Sequence, residues 1–388
     1  VTLFFLLFNS LVYSQPPRWA QLPNAPILES GRFSDVYFID AYTGYINEEG
    51  GKVYKTTNGG HSFTDVTNNL VSGSRCLGFF DANTGIVGML FSETPDTIMM
   101  RTTDGGNSWK KIENPPESLQ KGVCGISIVN SEVAYATGRY YKPARLSKTT
   151  DKGVTWTSVL LDSNLIDHAI DCYFWNADSG VVVGGYSPGN SFNGNAVVMR
   201  TTNGGASFTR TFVSNVDSAF CWKVQFLNRN LGYASIQTAN FAPYIKTTDG
   251  GLTWVEKPFS GERNPQGIGF LNENTGWIGG WGNIPPFGMP TYETTDGGAT
   301  WHTAGFGVKI NRIRFINDTL AYAVGKSVYK FSRETVGITQ ISGEVPENYS
   351  LKQNYPNPFN PSTIINYEVK EPGNIKLIVY DAAGSEIH

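Results

Sequence analysis

An all-β fold built by repetition is what this sequence predicts, and three observations predict it. The first is composition: 388 residues hold 43 Gly and 13% aromatics but only 16% charged residues, against roughly 7% Gly and 25% charged in an average soluble domain. Such a chain is rich in tight turns and poor in solvated helical faces. The second is a motif met six times: KTTNGGHSF at Lys55, RTTDGGNSW at Arg101, KTTDKGVTW at Lys148, RTTNGGASF at Arg200, KTTDGGLTW at Lys246 and ETTDGGATW at Glu293. Its turn residues are Asn58, Asp104, Asp151, Asn203, Asp249 and Asp296, in steps of 46, 47, 52, 46 and 47. That spacing is the period of a four-stranded propeller blade. The third is a unit between the motifs, aromatic-apolar-Asn/Asp, a turn, then Gly or a small residue and an alternating strand. It begins near Phe38, Phe79, Ile126, Phe174, Phe226, Phe270 and Phe315.

Seven such units meet six motifs, and one arrangement satisfies both counts. Each blade reads as an inner strand, the Asn/Asp turn, a second strand, a loop, a third strand, the motif, and an outer strand. Ser327–Phe331 is then the third strand of the last blade, which has no motif and no outer strand of its own. Arg18–Leu22 looks like a strand that follows a motif, so it supplies the missing outer strand and closes the ring. Closure removes the open sheet edge. We therefore expect a seven-bladed propeller over 15–333.

Inside the motif the chemistry is that of a turn. The Asp or Asn side chain accepts bonds from backbone N–H groups just ahead, and the glycines take φ > 0. The following Ser or Thr adds a local bond, and the Trp or Phe buries. These segments resemble Asp-boxes, the BNR repeats of sialidases, sortilin-type receptors, xyloglucanases and the photosystem II stability and assembly factor family. The last is the closest overall resemblance and implies a non-catalytic assembly scaffold; that family's channel-side basic patch is matched only by Lys223, Arg312 and Arg314. The six box residues read as hairpin locks.

Both ends carry signatures of export. Leu3–Leu7 is an apolar block followed by small and polar residues up to Ser14, as in a secretory signal peptide over 1–14. From Tyr349 the stretch containing QNYPNPFNP (Gln353–Pro361) resembles the C-terminal sorting domain of the type IX secretion system. Its Asn-Pro repeats force extended and turn backbone, and Thr363–Val369 and Ile375–Tyr380 alternate as two short strands. We expect a linker over 334–348 and an incomplete, partly β-sandwich-like sorting domain over 349–388. The resemblance implies the type IX machinery as a partner, and secretion or display on the outer membrane by way of the periplasm. No apolar run reaches the ~18 residues of a membrane-spanning helix.

Period two along the inner strands assigns faces. Phe38, Phe79, Ile128, Phe174, Phe226, Phe270 and Phe315 should pack between blades, while the other parity lines the central channel. There Asp35, Asp171, Lys223, Arg312 and Arg314 form a mixed charged ring, either paired internally or open to a ligand. On the rim away from the boxes, long loops carry Tyr140-Tyr141, Tyr186, Phe192, Phe241, Trp281 and Phe287 beside amides. These aromatics are either platforms for a sugar or peptide, or covers for the blade ends. Cys76, Cys124, Cys172 and Cys221 fall in or just before successive inner strands; Cys124 and Cys172 are the one pair of neighbours sharing a face. No Cys pair stands near a His with zinc-like spacing, so neither a metal nor a cofactor is expected.

A net charge of −3 excludes the basic footprint of non-specific nucleic-acid binding. A sialidase-like site would need an arginine cluster and an Arg-Ile-Pro strand; the sequence has no Arg-Ile-Pro, and Arg312 with Arg314 is its one Arg pair two residues apart. Paired carboxylates for glycoside hydrolysis would come from Glu29, Asp35, Asp162, Asp167, Asp171, Asp217 or Glu262. There is no Gly-x-x-x-x-Gly-Lys-Ser/Thr phosphate loop. The expectation is an exported binding or scaffold propeller for a glycan or protein, with a glycoside hydrolase as the alternative.

Overall fold

The computed structural model describes residues 16–68, 70, 73–90, 98–113, 122–138, 143–187, 194–238, 242–261, 264–281, 288–333, 349–353, 365–368, 370, 379–380 and 386–387. The chain divides into two compact units, residues 1–334 and 335–388. Unit 1 consists of seven four-stranded antiparallel sheets. Six are consecutive hairpins, from Phe33–Phe38, Gly44–Glu48, Val53–Thr56 and Thr64–Asp65 in blade 1 to Pro265–Phe270, Gly276–Gly280, Pro290–Thr294 and His302–Val308 in blade 6. The seventh pairs Arg312–Asn317, Leu320–Val324 and Val328–Ser332 with Arg18–Gln21. Arg18 lies opposite Ser332 and Gln21 opposite Tyr329. The ring is a seven-bladed β-propeller closed by its first strand.

Among the described residues seven apolar clusters lie one between each pair of neighbouring blades, and an eighth, Ile170, Phe220 and Trp222, joins blades 4 and 5. One packing device recurs across these interfaces. The inner-strand Phe of one blade stacks on a second-strand Tyr of its neighbour: Phe38 on Tyr322 at 3.5 Å, Phe79 on Tyr45 at 3.8 Å, Phe174 on Tyr135 at 3.5 Å and Phe270 on Tyr233 at 3.8 Å. Each Phe also lies over the Gly opposite it. A Cβ at Gly44, Gly85, Gly180 or Gly276 would come within 2.4–2.5 Å of the ring. The repeated Phe-to-Gly spacing therefore records a ring packed on bare backbone.

Closure is fixed by the same means. Trp19 stacks on Phe306 at 4.7 Å and meets Trp277 edge-on at 5.6 Å, which ties blade 6 to blade 7. All four cysteines are buried and none forms a disulfide, so the Cys124–Cys172 pair is not bridged. Burial pushes the Cys76 and Cys172 thiols well above their ordinary range. Unit 2 contains the pairs Ser350–Leu351 with Tyr367–Glu368 and Val379–Tyr380 with Glu386–Ile387. The Asn-Pro motif falls outside the described residues, apart from Gln353 at its start.

Candidate functional site

The boxes occupy one rim and spend their polar atoms on themselves. Asp104 Oδ1 accepts the Thr102 hydroxyl at 2.8 Å and the Ser108 amide at 2.9 Å, while Oδ2 accepts the Ser108 hydroxyl at 2.6 Å. The Gly106 amide donates to Thr102 Oγ1 at 2.9 Å. The Ser108 hydroxyl bond, more than any other contact, holds the Asp104 carboxyl down at about 2. Asn58 and Asn203 keep the pattern with one bond reversed, the amide donating to Ser62 Oγ at 2.9 Å and to Ser207 Oγ at 2.8 Å. The first residue of a box then reaches the next blade. Lys55 Nζ donates to Gly105 O at 2.9 Å, Arg101 Nε to Lys152 O at 2.7 Å and Arg200 Nε to Gly250 O at 3.0 Å. Glu293 breaks the basic series where the next blade has no box to tie.

The opposite rim is shaped by a bulge in every inner strand. Pairing skips one residue between Phe33 and Asp35, Ser74 and Cys76, Ala169 and Asp171, and Pro265 and Gly267, and Trp222 with Lys223 faces Ser235 alone. In blade 3 both Cys124 and Gly125 address Thr137, and in blade 7 both Asn311 and Arg312 address Val324. The extra residues are Ser34, Arg75, Cys124, Ile170, Trp222, Gln266 and Asn311, each six positions before the Asp or Asn of the turn. A bulge re-aims its side chain. These seven equivalent positions hold seven different residue types, and they meet at the mouth of the channel.

Contacts across the ring plug that mouth. Trp222 Nε1 donates to Asn311 Oδ1 at 3.2 Å, joining blades 5 and 7, and the Arg75 guanidinium lies 5.2 Å over the Trp222 ring, joining blades 2 and 5. The Asn311 amide donates to Ser34 O. Above the plug lies a cavity of about 300 Å³ lined by Arg32, Glu49, Arg75, Leu90, Cys124, Ile170, Trp222, Gln266 and Trp281, among others. Arg32 stacks 4.6 Å from the Trp281 ring centre, and Lys309 approaches the same ring at 5.1 Å. Glu49 Oε1 takes Arg32 Nε at 3.4 Å and Arg75 Nη1 at 3.1 Å. Burial, reinforced by the charge of Arg75, pulls the Arg32 guanidinium down to about 9.

One step deeper the two acids and two arginines of the charged ring pair with one another. Arg312 bridges the channel, with Nη1 2.9 Å from Asp171 Oδ2 and Nε 3.1 Å from Asp35 Oδ1. Arg314 Nη2 reaches Asp35 at 3.3 Å. Asp35, Asp171 and Lys223 are at most 1% exposed. Burial would raise the Asp35 carboxyl, but Arg312 and Arg314 outweigh it and the net shift is downward. Lys223 Nζ has no hydrogen-bond partner; burial, then the like charge of Arg312, brings the amine down to about 7.

Of the loop aromatics, Trp281 lines the cavity. Tyr186 instead packs in the core between blades 3 and 4 with the Arg210 guanidinium 5.2 Å over its ring. Phe192, Phe241, Phe287 and the Tyr140-Tyr141 pair lie outside the described residues, as does Glu262. The sequence reading did not single out Arg32, Arg75, Glu49, Trp222 or Gln266. Four further acids stay away from the cavity: Glu29, Asp162 and Asp217 are exposed, and Asp167 is buried against His168 and the Ser187 amide. Among the described residues no cluster of His, Cys, Asp and Glu could hold a metal, and no helix is long and apolar enough to cross a membrane.

No protein-family model and no curated protein matches the sequence. Solved structures do resemble the fold. One is YCF48 bound to D1 peptide, at 18% identity over 83% of this chain and 96% of that one, with a TM-score of 0.56. Another is YCF48 from Cyanidioschyzon merolae, at 16% identity over 81% and 99%, with a TM-score of 0.59. The GH74 xyloglucanase from Xanthomonas campestris matches at 12% identity over 84% of this chain but only 55% of its own, with a TM-score of 0.55. The likeness is one of fold. At these identities it carries no residue roles from one chain to another.

Proposed function

We propose that this chain is an exported, non-catalytic binding propeller that seats a protein or glycan ligand at the channel mouth, with the boxes as fasteners. Residues 1–14 serve as its signal peptide and 349–388 as a type IX sorting segment joined by a linker over 334–348, which places the propeller outside the cell or on the outer membrane. One observation carries the reading. Among the described residues the cavity at the mouth holds one carboxylate, Glu49, already engaged by two arginines, whereas glycoside hydrolysis needs two carboxyl groups flanking the scissile bond. Asp35 and Asp171, the acids nearest below, are buried and shared by Arg312. A likeness to YCF48, a propeller solved with a bound peptide, supports the same use of the fold.

A glycan array, a peptide array and a reducing-sugar assay on a polysaccharide panel test the proposal together. Binding that a Trp281→Ala or Arg75→Gln change weakens, with no sugar release above the blank, is the expected result. Turnover abolished by Asp171→Asn would overturn it in favour of a hydrolase.

A further inference from the structure

The mouth contains a buried cationic nitrogen with nothing to bind. Arg32 lines the cavity with 3% of its side chain exposed, and its Nη1 has no hydrogen-bond partner. Its Nε and Arg75 Nη1 converge instead on a single oxygen, Glu49 Oε1. A guanidinium fork pairs best with a carboxylate through two parallel N–H···O bonds, and neither arginine makes that pair here. The two arginines and one glutamate leave one positive charge in excess. Glu49 lies in the short turn between Glu48 and Val53, with 40% of its side chain exposed. It is the one member of the trio free to swing into solvent.

The surrounding walls narrow the ligand further. A sugar ring stacks on an open aromatic face, but Trp281 already carries Arg32 and Lys309, and Trp222 carries Arg75. Leu90 and Ile170 add apolar wall to a volume of about 300 Å³, at the small end for ligand pockets and enough for one side chain. With the mouth read as the ligand seat, as proposed above, we infer that it recognises the C-terminal carboxylate of a peptide ending in an apolar residue, and that Glu49 is the internal carboxylate this ligand displaces.

The test uses the full chain and two fluorescein-labelled hexapeptide pools, random except for a C-terminal Leu or Phe, one pool as free acids and one amidated. Fluorescence polarisation should show the amides binding at least about tenfold more weakly, since they lack the charge that the fork pairs with. Glu49→Gln should tighten the acid pool several-fold and leave the amide pool unchanged. Arg75→Gln should erase the preference, and Arg32→Lys, which keeps the charge but loses the fork, should weaken it; melting curves check that both variants fold. Equal binding of acids and amides overturns the carboxylate inference and leaves the mouth as the seat. An unchanged affinity in Glu49→Gln overturns the displacement. If a glucuronate-ended oligosaccharide binds where neither pool does, the ligand is an acidic glycan and the peptide inference fails. No binding by any probe overturns both this inference and the reading of the mouth.

Discussion

The two rims of the propeller are built from the same strands and treat polar atoms in opposite ways. On the box rim Asp, Thr, Ser and Gly recur in register, and the Asp and Thr side-chain oxygens are used within their own turn, although the box indoles Trp254 Nε1 and Trp301 Nε1 stay unpartnered. At the mouth the equivalent positions differ in every blade. At the mouth and just below it Arg32 Nη1, Asn47 Oδ1, Gln266 Oε1 and Lys223 Nζ are buried without hydrogen-bond partners. A buried polar group left unpaired costs about 1–3 kcal/mol, a cost the fold carries for these charged and amide groups. Repetition marks what holds the ring together; departure from it marks the seat proposed for a ligand.

The largest way to break this contrast is at the seam. Blade 7 has no box, and its outer edge is covered by Arg18–Gln21, with the Leu22 amide bonded to Val328 O at 3.0 Å. Deleting Pro16–Leu22 removes Trp19 from between Phe306 and Trp277 and bares the Val328–Ser332 edge. A fall in melting temperature of about 10 °C or more is expected, equivalent to several kcal/mol. An unchanged melting curve would mean that the ring does not depend on this clasp.

Next comes the floor of the mouth. Arg312→Leu leaves Asp35 and Asp171 buried without their shared cation. Removing one partner of a buried ion pair costs about 3–5 kcal/mol, which urea unfolding would read at neutral pH. A loss below ~1 kcal/mol would show that water reaches the channel and the ring is solvated after all.

Lys223 sharpens the comparison in the other direction. Its amine titrates near 7 in the folded chain against 10.5 when exposed. Between those values the unfolded chain holds a proton that the folded chain lacks. Stability therefore rises with pH through that window, by up to ~1.4 kcal/mol per unit for this one group, and is flat below it. Lys223→Met should be the more stable protein, by about 2 kcal/mol at pH 7, with a gap that narrows towards pH 10. A gap that stays constant with pH would show that the amine is charged and solvated in the native state.

Fold and site were unequally legible for a physical reason. Box turns, the Phe-to-Gly spacing and the fourth-strand look of Arg18–Leu22 are local chemistry repeated many times, so the blade count and the closure could be read directly. The mouth depends on a one-residue bulge, and such a slip moves side chains to the other face. Counting by twos places Asp35, Asp171 and Lys223 on the channel but passes over Arg75, Trp222 and Gln266, which the bulge turns into the opening. Arg32 precedes its strand and Glu49 sits in a turn, outside any periodic pattern. The column six residues before each turn was visible as Ser34, Arg75, Cys124, Ile170, Trp222, Gln266 and Asn311; its lack of consensus was the signal.

The smallest expected effect tests the box rim itself. Asp104 makes three side-chain bonds at the surface, to the Thr102 hydroxyl and to the Ser108 amide and hydroxyl. Asp104→Ala loses all three, but water replaces much of the loss there, so about 1–2 kcal/mol is expected. Asp104→Asn should cost less than about 0.5 kcal/mol, because Asn58 and Asn203 make the same turn with the hydroxyl turned to accept an amide proton. Both changes should leave ligand affinity at the mouth untouched, since the box lies on the far rim. If Asp104→Asn instead abolished binding or any turnover while the melting curve stood still, the carboxylate would be a reagent, and the division between fastening rim and binding rim would fail at its most repeated element.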